Sequence, residues 1–128
     1  MKFIVLLGRF LFALIFICSS IGHFSSSSIT YAEASGAPLA NLFVPLSGVL
    51  ILLGGLSILF GFKAKIGAIL LLIFLVPATL IMHAFWNIQD PTLYLMQMSN
   101  FMKNLSLMGT CLLITYFGSG PLSIDGRI

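Results

Sequence analysis

Residues 51–76 read ILLGGLSILFGFKAKIGAILLLIFLV. Two apolar runs flank the short polar interruption Lys63-Ala64-Lys65, and this stretch decides the fold. Followed outward, the runs extend from about Val44 to Phe62 and from Ile66 to Trp86. Each holds about 20 residues, the length a helix needs to cross roughly 30 Å of hydrocarbon at 1.5 Å per residue. The runs are too long for membrane strands and do not alternate in polarity. In lipid a segment must satisfy its own backbone hydrogen bonds, so both are read as helices. The turn between them is minimal, which makes the two helices antiparallel neighbours.

Two further runs complete the pattern, one from about Phe3 to Gly22 and one from about Met98 to Gly118. The expectation is an all-α protein, a four-helix transmembrane bundle with up-down order and a single domain over 1–128. Composition agrees, with 59% hydrophobic against 7% charged residues. A soluble domain carries roughly 25% charge, so a cytosolic enzyme, a secreted disulfide scaffold and a disordered tail are excluded. The first run is read as a retained span rather than a signal peptide. It is too long, and the Ala32-Glu33-Ala34 pattern lies well beyond its end.

The net charge of +3 does not form a nucleic-acid face, because the basic residues are dispersed between apolar runs. They carry topology instead. Lys2, Arg9, Lys63, Lys65 and Arg127 fall on one side of an up-down arrangement, with Lys103 toward the other. The positive-inside rule places both termini in the cytoplasm. Arg9, Lys63 and Lys65 are read as anchors, with Arg9 reaching back to the cytoplasmic surface along its own stem.

The opposite connections are longer. The external segment 24–43 is expected to hold a short interfacial helix over 29–34, capped by Ser28. Asp90-Pro91 reads as a turn between Trp86 and Tyr94, residues that favour the interface. On the second helix Ser47, Gly54, Ser57 and Gly61 recur at heptad spacing, a seam that lets another helix approach closely. Pro77 is expected to kink the third helix.

Ionisable groups inside a span are costly and therefore mark candidate sites. Besides Arg9 these are His23, His83 and Lys103, all toward the outer side. Thr79, His83 and Asn87 share one helix face at i, i+4, i+8, and Asn100, Lys103 and Asn104 share another. His83 and Lys103 are placed at similar depth. The candidate ligand-binding set is His83, Lys103, Asn100, Asn104, His23, Thr79 and Asn87, lining a polar pocket open to the outer leaflet. Two histidines are too few for a metal site. Cys18 and Cys111 lie at different depths and are read as packing residues.

Several stretches resemble the DoxX family of small bacterial membrane proteins. They are Gly54 through Lys65, Leu7-Gly8-Arg9, Tyr31 to Pro38, Val76-Pro77-Ala78-Thr79 through His83-Ala84-Phe85-Trp86, Phe101 to Leu105, and the tail Gly118 to Asp125. The resemblance implies a four-helix protein of the bacterial inner membrane, in a family linked to quinone-coupled sulfur oxidation and to thiol and oxidative-stress systems. Many relatives carry an acid in helix two where this chain has Ile51, so no carboxylate role transfers, and no catalytic residue is carried over. The leading reading is a multi-pass subunit assisting a quinone- or thiol-linked redox process through the pocket. If an enzyme, it is an accessory oxidoreductase subunit rather than a self-contained one. No flavin, haem or iron–sulfur motif is legible, so a quinone is the one cofactor considered and electrons would need a partner protein. The expected partners are the lipid bilayer, a membrane or periplasmic protein, and a second copy of the chain. Two rivals stand beside this reading: a non-enzymatic assembly protein whose polar faces serve only packing, and a small transporter or proton path.

Overall fold

The computed structural model describes residues 1–127 and is all-helical, with no strand among them. Five α-helices follow one another: α1 (Lys2–Gly22), α2 (Ser26–Ala34), α3 (Ala40–Phe60), α4 (Ala64–Met82) and α5 (Pro91–Phe117). Short 3-10 turns occupy Phe85–Asn87 and Asp125–Arg127.

Local chemistry explains where these boundaries depart from the apolar runs. The short external helix begins at Ser26, earlier than expected, because the Ser25 hydroxyl accepts the Ser28 N–H and takes the capping role assigned to Ser28. Helix α3 begins at Ala40 rather than Val44. Pro45 sits early enough in it to forfeit one hydrogen bond, to the Asn41 carbonyl, without breaking the helix. The helix ends at Phe60 because Gly61 adopts φ 64° and the Phe62 N–H folds back to the Ser57 carbonyl. Helix α4 stops at Met82 instead of continuing to Trp86. Phe85 and Trp86 leave it to stack edge-on with each other and with Phe101, and Phe85 also meets Tyr94.

The largest difference concerns α5. Asp90-Pro91 is no simple turn: the Asp90 carboxylate accepts the Leu93 N–H at 2.9 Å and Pro91 occupies the first helical position. The helix therefore starts at Pro91 rather than Met98. Three helices are long and apolar enough to cross a membrane: Lys2–Gly22, Ala40–Phe60 and Ala64–Asn87, the last including the 3-10 turn. With 27 residues α5 is longer than any of them, but Gln97, Ser99, Asn100, Lys103, Asn104 and Ser106 interrupt its apolar sequence.

Consecutive long helices pack in the order α1 on α3, α3 on α4 and α4 on α5, with α2 resting on α3. One apolar core joins them, built from Ala13 and Phe16 of α1, Ile51 and Ile58 of α3, Ala64, Ala68, Leu71 and Leu75 of α4, and Cys111 of α5. Close approach depends on missing side chains. A Cβ on Gly54 would lie 2.7 Å from Leu71 and 3.0 Å from the Gly67 carbonyl. One on Gly67 would meet Ser57 at 2.5 Å and the Gly54 carbonyl at 3.0 Å. Gly55 does the same toward α1, where an added Cβ would be 2.9 Å from Ile17. The seam expected on the second helix is thus two-sided, Gly54 and Ser57 facing α4 while Gly55 faces α1.

The chain termini and the α3–α4 turn meet at one end, here the terminal end. The tail returns across the turn, with the Ile124 N–H donating to the Phe60 carbonyl and the Asp125 N–H to the Gly61 carbonyl. Lys63, the residue preceding α4, has φ 51° and supplies no side-chain cap. Asp125 caps the helix from afar, accepting the Lys63 N–H at 2.8 Å and the Ala64 N–H at 3.4 Å. The Ser119 hydroxyl, then the Lys63 N–H, hold the Asp125 carboxyl below the usual carboxylate range. Arg9 points toward this end as expected but does not reach water. It is buried beneath the tail, where its Nη2 donates to the Leu122 carbonyl at 2.5 Å. A Cβ on Gly61 would collide with that guanidinium and with Ser123, so glycine is required there on two counts. Lys63 and Lys65 remain exposed, and the Lys63 ammonium stands over the Phe62 ring.

Gly67→Ala should lower stability by roughly 1–3 kcal/mol through overpacking. Gly109→Ala, where an added Cβ meets nothing, should be neutral or stabilising by up to about 1 kcal/mol. Thermal melts of the two variants in one detergent check the contrast. Because the folded Asp125 carboxyl is the more acidic one, its contribution to tail docking is complete above the unfolded value. That contribution fades as pH falls through the depressed folded value. Amide protection factors at Lys63 and Asp125, corrected for intrinsic exchange, should therefore be high at neutral pH, lower under strong acid, and low at neutral pH in Asp125→Ala.

Candidate functional site

Away from the terminal end the helices part around a cavity of about 1010 Å³. It lies beyond the tight glycine contacts, between residues 15–23 at the end of α1, 43–51 of α3, 73–83 at the end of α4 and 103–107 of α5, with α2 across its flank. Its walls are mainly Ile, Leu, Phe and Ala side chains. The polar side chains among them are His23, His83, Lys103, Asn104, Tyr31 and serines 19, 27, 28 and 47.

His23, just past the end of α1, is held by α3. Its Nδ1 lies 2.7 Å from the Ser47 hydroxyl, which itself donates to the Val44 carbonyl at 2.6 Å. Gly48 makes room, since a Cβ there would come within 2.8 Å of the His23 Cβ. The edge of the His23 ring meets Phe74 of α4.

His83 ends α4, and its Nδ1 lies 2.7 Å from Gln97 Oε1. Gln97 Nε2 donates onward to the Tyr31 hydroxyl of α2 at 3.1 Å. One turn deeper Asn104 donates to the Thr79 hydroxyl at 3.0 Å, and both residues are buried. These links join α2, α4 and α5 through side chains alone.

The structure thus brings together His23, His83, Lys103 and Asn104 around one cavity, with Thr79 behind Asn104. Asn87 and Asn100 do not join them. Asn87 is exposed in the 3-10 turn, and Asn100 is half-buried outside the cavity lining. Equal depth of His83 and Lys103 does not hold either. Because α5 starts at Pro91, Lys103 sits about 18 Å along it, near the level of Thr79, and Gln97 stands opposite His83. Gln97 and Tyr31 are additions that the spacing of apolar runs did not select. Their signal is Gln97, Asn104 and Cys111, buried at heptad spacing along α5, legible once Asp90-Pro91 is read as a helix start. Cys18 is exposed, Cys111 is buried, and both are free and outside the cavity lining. Among the described residues no group of three metal-ligating side chains converges.

The same chain order is found in known proteins. The DoxX family model matches residues 4–84, from α1 through α4. The chain belongs to the DoxX family. It is 35% identical over 123 residues to "Inner membrane protein YqjF" of Escherichia coli (strain K12), covering 94% of this chain and 88% of that protein. It is 27% identical over 126 residues to "Inner membrane protein YphA" of the same organism, covering 97% and 89%. No solved structure matches the chain. This DoxX protein is accordingly a membrane protein of the inner membrane, its apolar helices embedded in the bilayer. Both relatives align across most of α5 as well, beyond the part the family model covers.

Replacing Asn104 by Leu strands the buried Thr79 hydroxyl without its donor and should cost about 1–3 kcal/mol. Adding Thr79→Val should recover part of that loss. A double-mutant cycle followed by thermal unfolding measures the coupling.

Proposed function

We propose that this DoxX protein is an inner-membrane subunit whose cavity holds an amphiphilic redox ligand of the quinone class, in a quinone- or thiol-linked process completed by a partner protein. The observation that carries the reading is the meeting of two imidazoles, an ammonium and a buried amide in one apolar-walled cavity. At about 1010 Å³ it matches the upper range of ligand sites, roughly 300–1,000 Å³. Apolar walls suit a ring and its tail, and the few polar groups can orient a headgroup. The free cysteines lie outside the cavity lining, so a thiol would be brought by the substrate or partner.

In this reading α5 forms a fourth crossing and the single domain is an up-down four-helix bundle. Twenty-seven residues span about 40 Å. The buried residues Gln97, Asn104 and Cys111 face the protein, while Met102, Leu105, Leu112 and Leu113 lie exposed, where lipid would cover them. Lys2, Arg9, Lys63, Lys65 and Arg127 gather at the terminal end, which the positive-inside rule assigns to the cytoplasm. The cavity then opens to the outer leaflet. A second reading, an assembly protein with polar faces used only for packing, is favoured by one observation: buried Asn104 donates to buried Thr79 across the α4–α5 contact.

Cysteines at Ser26 or Asn87 in a Cys18→Ala, Cys111→Ala background should label with an impermeant reagent in intact cells. One at the exposed Phe62 should label only after permeabilisation. Labelling at Phe62 in intact cells would overturn the orientation. For the site, a short-chain quinone and its hydroquinone should be titrated onto protein in nanodiscs. At least one form should bind, and Ala78→Phe, which fills the cavity, and Lys103→Met should both weaken it. Parental binding in both variants, or no binding of either form, favours the packing reading.

A further inference from the structure

Lys103 is the one lysine or arginine in the cavity lining, and no carboxylate lines it. It shares a face of α5 with Leu107, one turn on, and both line the cavity. Asn104, the next residue, turns instead to Thr79 of α4. Lys103 thus faces the cavity while much of its own surface stays open. Beside it Met102 and Leu105 are apolar and exposed, the pattern of a surface covered by lipid. In such surroundings an ammonium calls for a partner.

The chain's own acids do not supply it. They are Glu33, Asp90 and Asp125, and each is engaged elsewhere. Glu33 accepts from the Asn41 amide at 3.2 Å, Asp90 accepts the Leu93 N–H at the start of α5, and Asp125 accepts the Lys63 N–H and the Ser119 hydroxyl in the tail. The counter-charge must therefore come from outside the chain, and the walls restrict what can bring it. They are mainly Ile, Leu, Phe and Ala, against which a hydrated inorganic anion would lose its water without compensation. A helix of another protein would need an open face, whereas Lys103 and Leu107 turn into a concave space of about 1010 Å³. An amphiphile meets both conditions, its acid at Lys103 and its chain along Leu107, Phe16 and Leu75, which also line the cavity.

We propose that the cavity binds a long-chain carboxylate of the fatty-acid class, with Lys103 pairing to its head. A carboxylate suits the place better than a phosphodiester lipid. It is small and carries a single chain, and in its protonated form it is neutral and moves through lipid before ionising beside the ammonium. The contact is then a charge-assisted N–H···O bond, stronger than one between neutral groups and strengthened again by the low dielectric of the walls. The inference goes beyond the quinone-class reading and shares with it only the cavity and the placement of α5 in the bilayer. It asks nothing of His23 or His83.

The test is native mass spectrometry of the full chain in a non-ionic detergent, titrated with palmitate, hexadecanol, phosphatidylglycerol and a neutral decyl-benzoquinone. Palmitate should be retained at least about tenfold more tightly than hexadecanol, the margin one charge-assisted hydrogen bond supplies. Lys103→Met should remove that margin and leave hexadecanol as in the parent, while Lys103→Arg should keep it. Lys63→Met and Lys65→Met, which remove charge at the terminal end, should also keep it. Ala78→Phe, which fills the cavity, should weaken palmitate and hexadecanol alike, with folding of every variant matched by thermal melts. Equal retention of palmitate and hexadecanol overturns the inference. So does a margin that survives Lys103→Met, one that disappears with Lys63 or Lys65, palmitate binding unchanged in Ala78→Phe, or phosphatidylglycerol held more tightly than palmitate. Quinone bound without palmitate overturns this inference alone, palmitate bound without quinone overturns the quinone-class reading alone, and binding of neither overturns both.

Discussion

The architecture hangs on how closely α3 is approached from its two sides. Gly54 lies against Gly67 of α4, and Gly55 lies against the Ala13–Ile17 stretch of α1, with backbone and side-chain atoms where Cβ atoms would otherwise stand. Membrane helices have little hydrophobic drive to associate, so backbone proximity and dispersion contacts supply the attraction. These contacts sit in the half of the molecule nearer the termini. Beyond Ile51 and Leu75, both fully buried, residues of α3 and α4 line the cavity. The cavity thus occupies the half away from the termini, and α2 lies across its flank.

The two ends solve the same problem differently, because a polar group inside a membrane protein needs a partner. At the terminal end the partners are mainly backbone. Arg9 reaches the Leu122 carbonyl, and Asp125 accepts the N–H groups that open α4. At the cavity end the partners are side chains, and two of the groups are satisfied on one side only. Each imidazole is tied down by its Nδ1 and lines the cavity. A buried pair such as Thr79–Asn104 fixes packing. A half-paired histidine fixes packing and also offers something to a ligand. That distinction separates the residues that hold the site from those proposed to use it.

Much of this was legible in the sequence because length and apolar runs dictate helices in a membrane. The runs before and after Lys63-Ala64-Lys65 became α3 and α4, and His23, His83, Lys103 and Asn104 were recognisable as polar groups in expensive places. Depth was harder to read. Taking Asp90-Pro91 as a turn instead of a cap with its proline shortened α5, raised Lys103 to the level of His83 and hid Gln97. Tyr31 escaped because its hydroxyl finds Gln97 only when α2 folds back onto the helices. The Asp125 cap was beyond reach for the same reason: its partners are 61 and 62 residues away, and no local pattern encodes that pairing.

The central claim is that the cavity beyond the α3 glycines binds a quinone-class ligand. The most direct test is photo-crosslinking of an azido-benzoquinone to the protein in nanodiscs, followed by peptide mass spectrometry. The account predicts adducts within residues 15–31, 43–51, 73–83 and 103–107, suppressed by excess unlabelled hydroquinone. Adducts confined to the lipid-facing residues of α1 and α5 or to the terminal end, or adducts indifferent to competition, would contradict it.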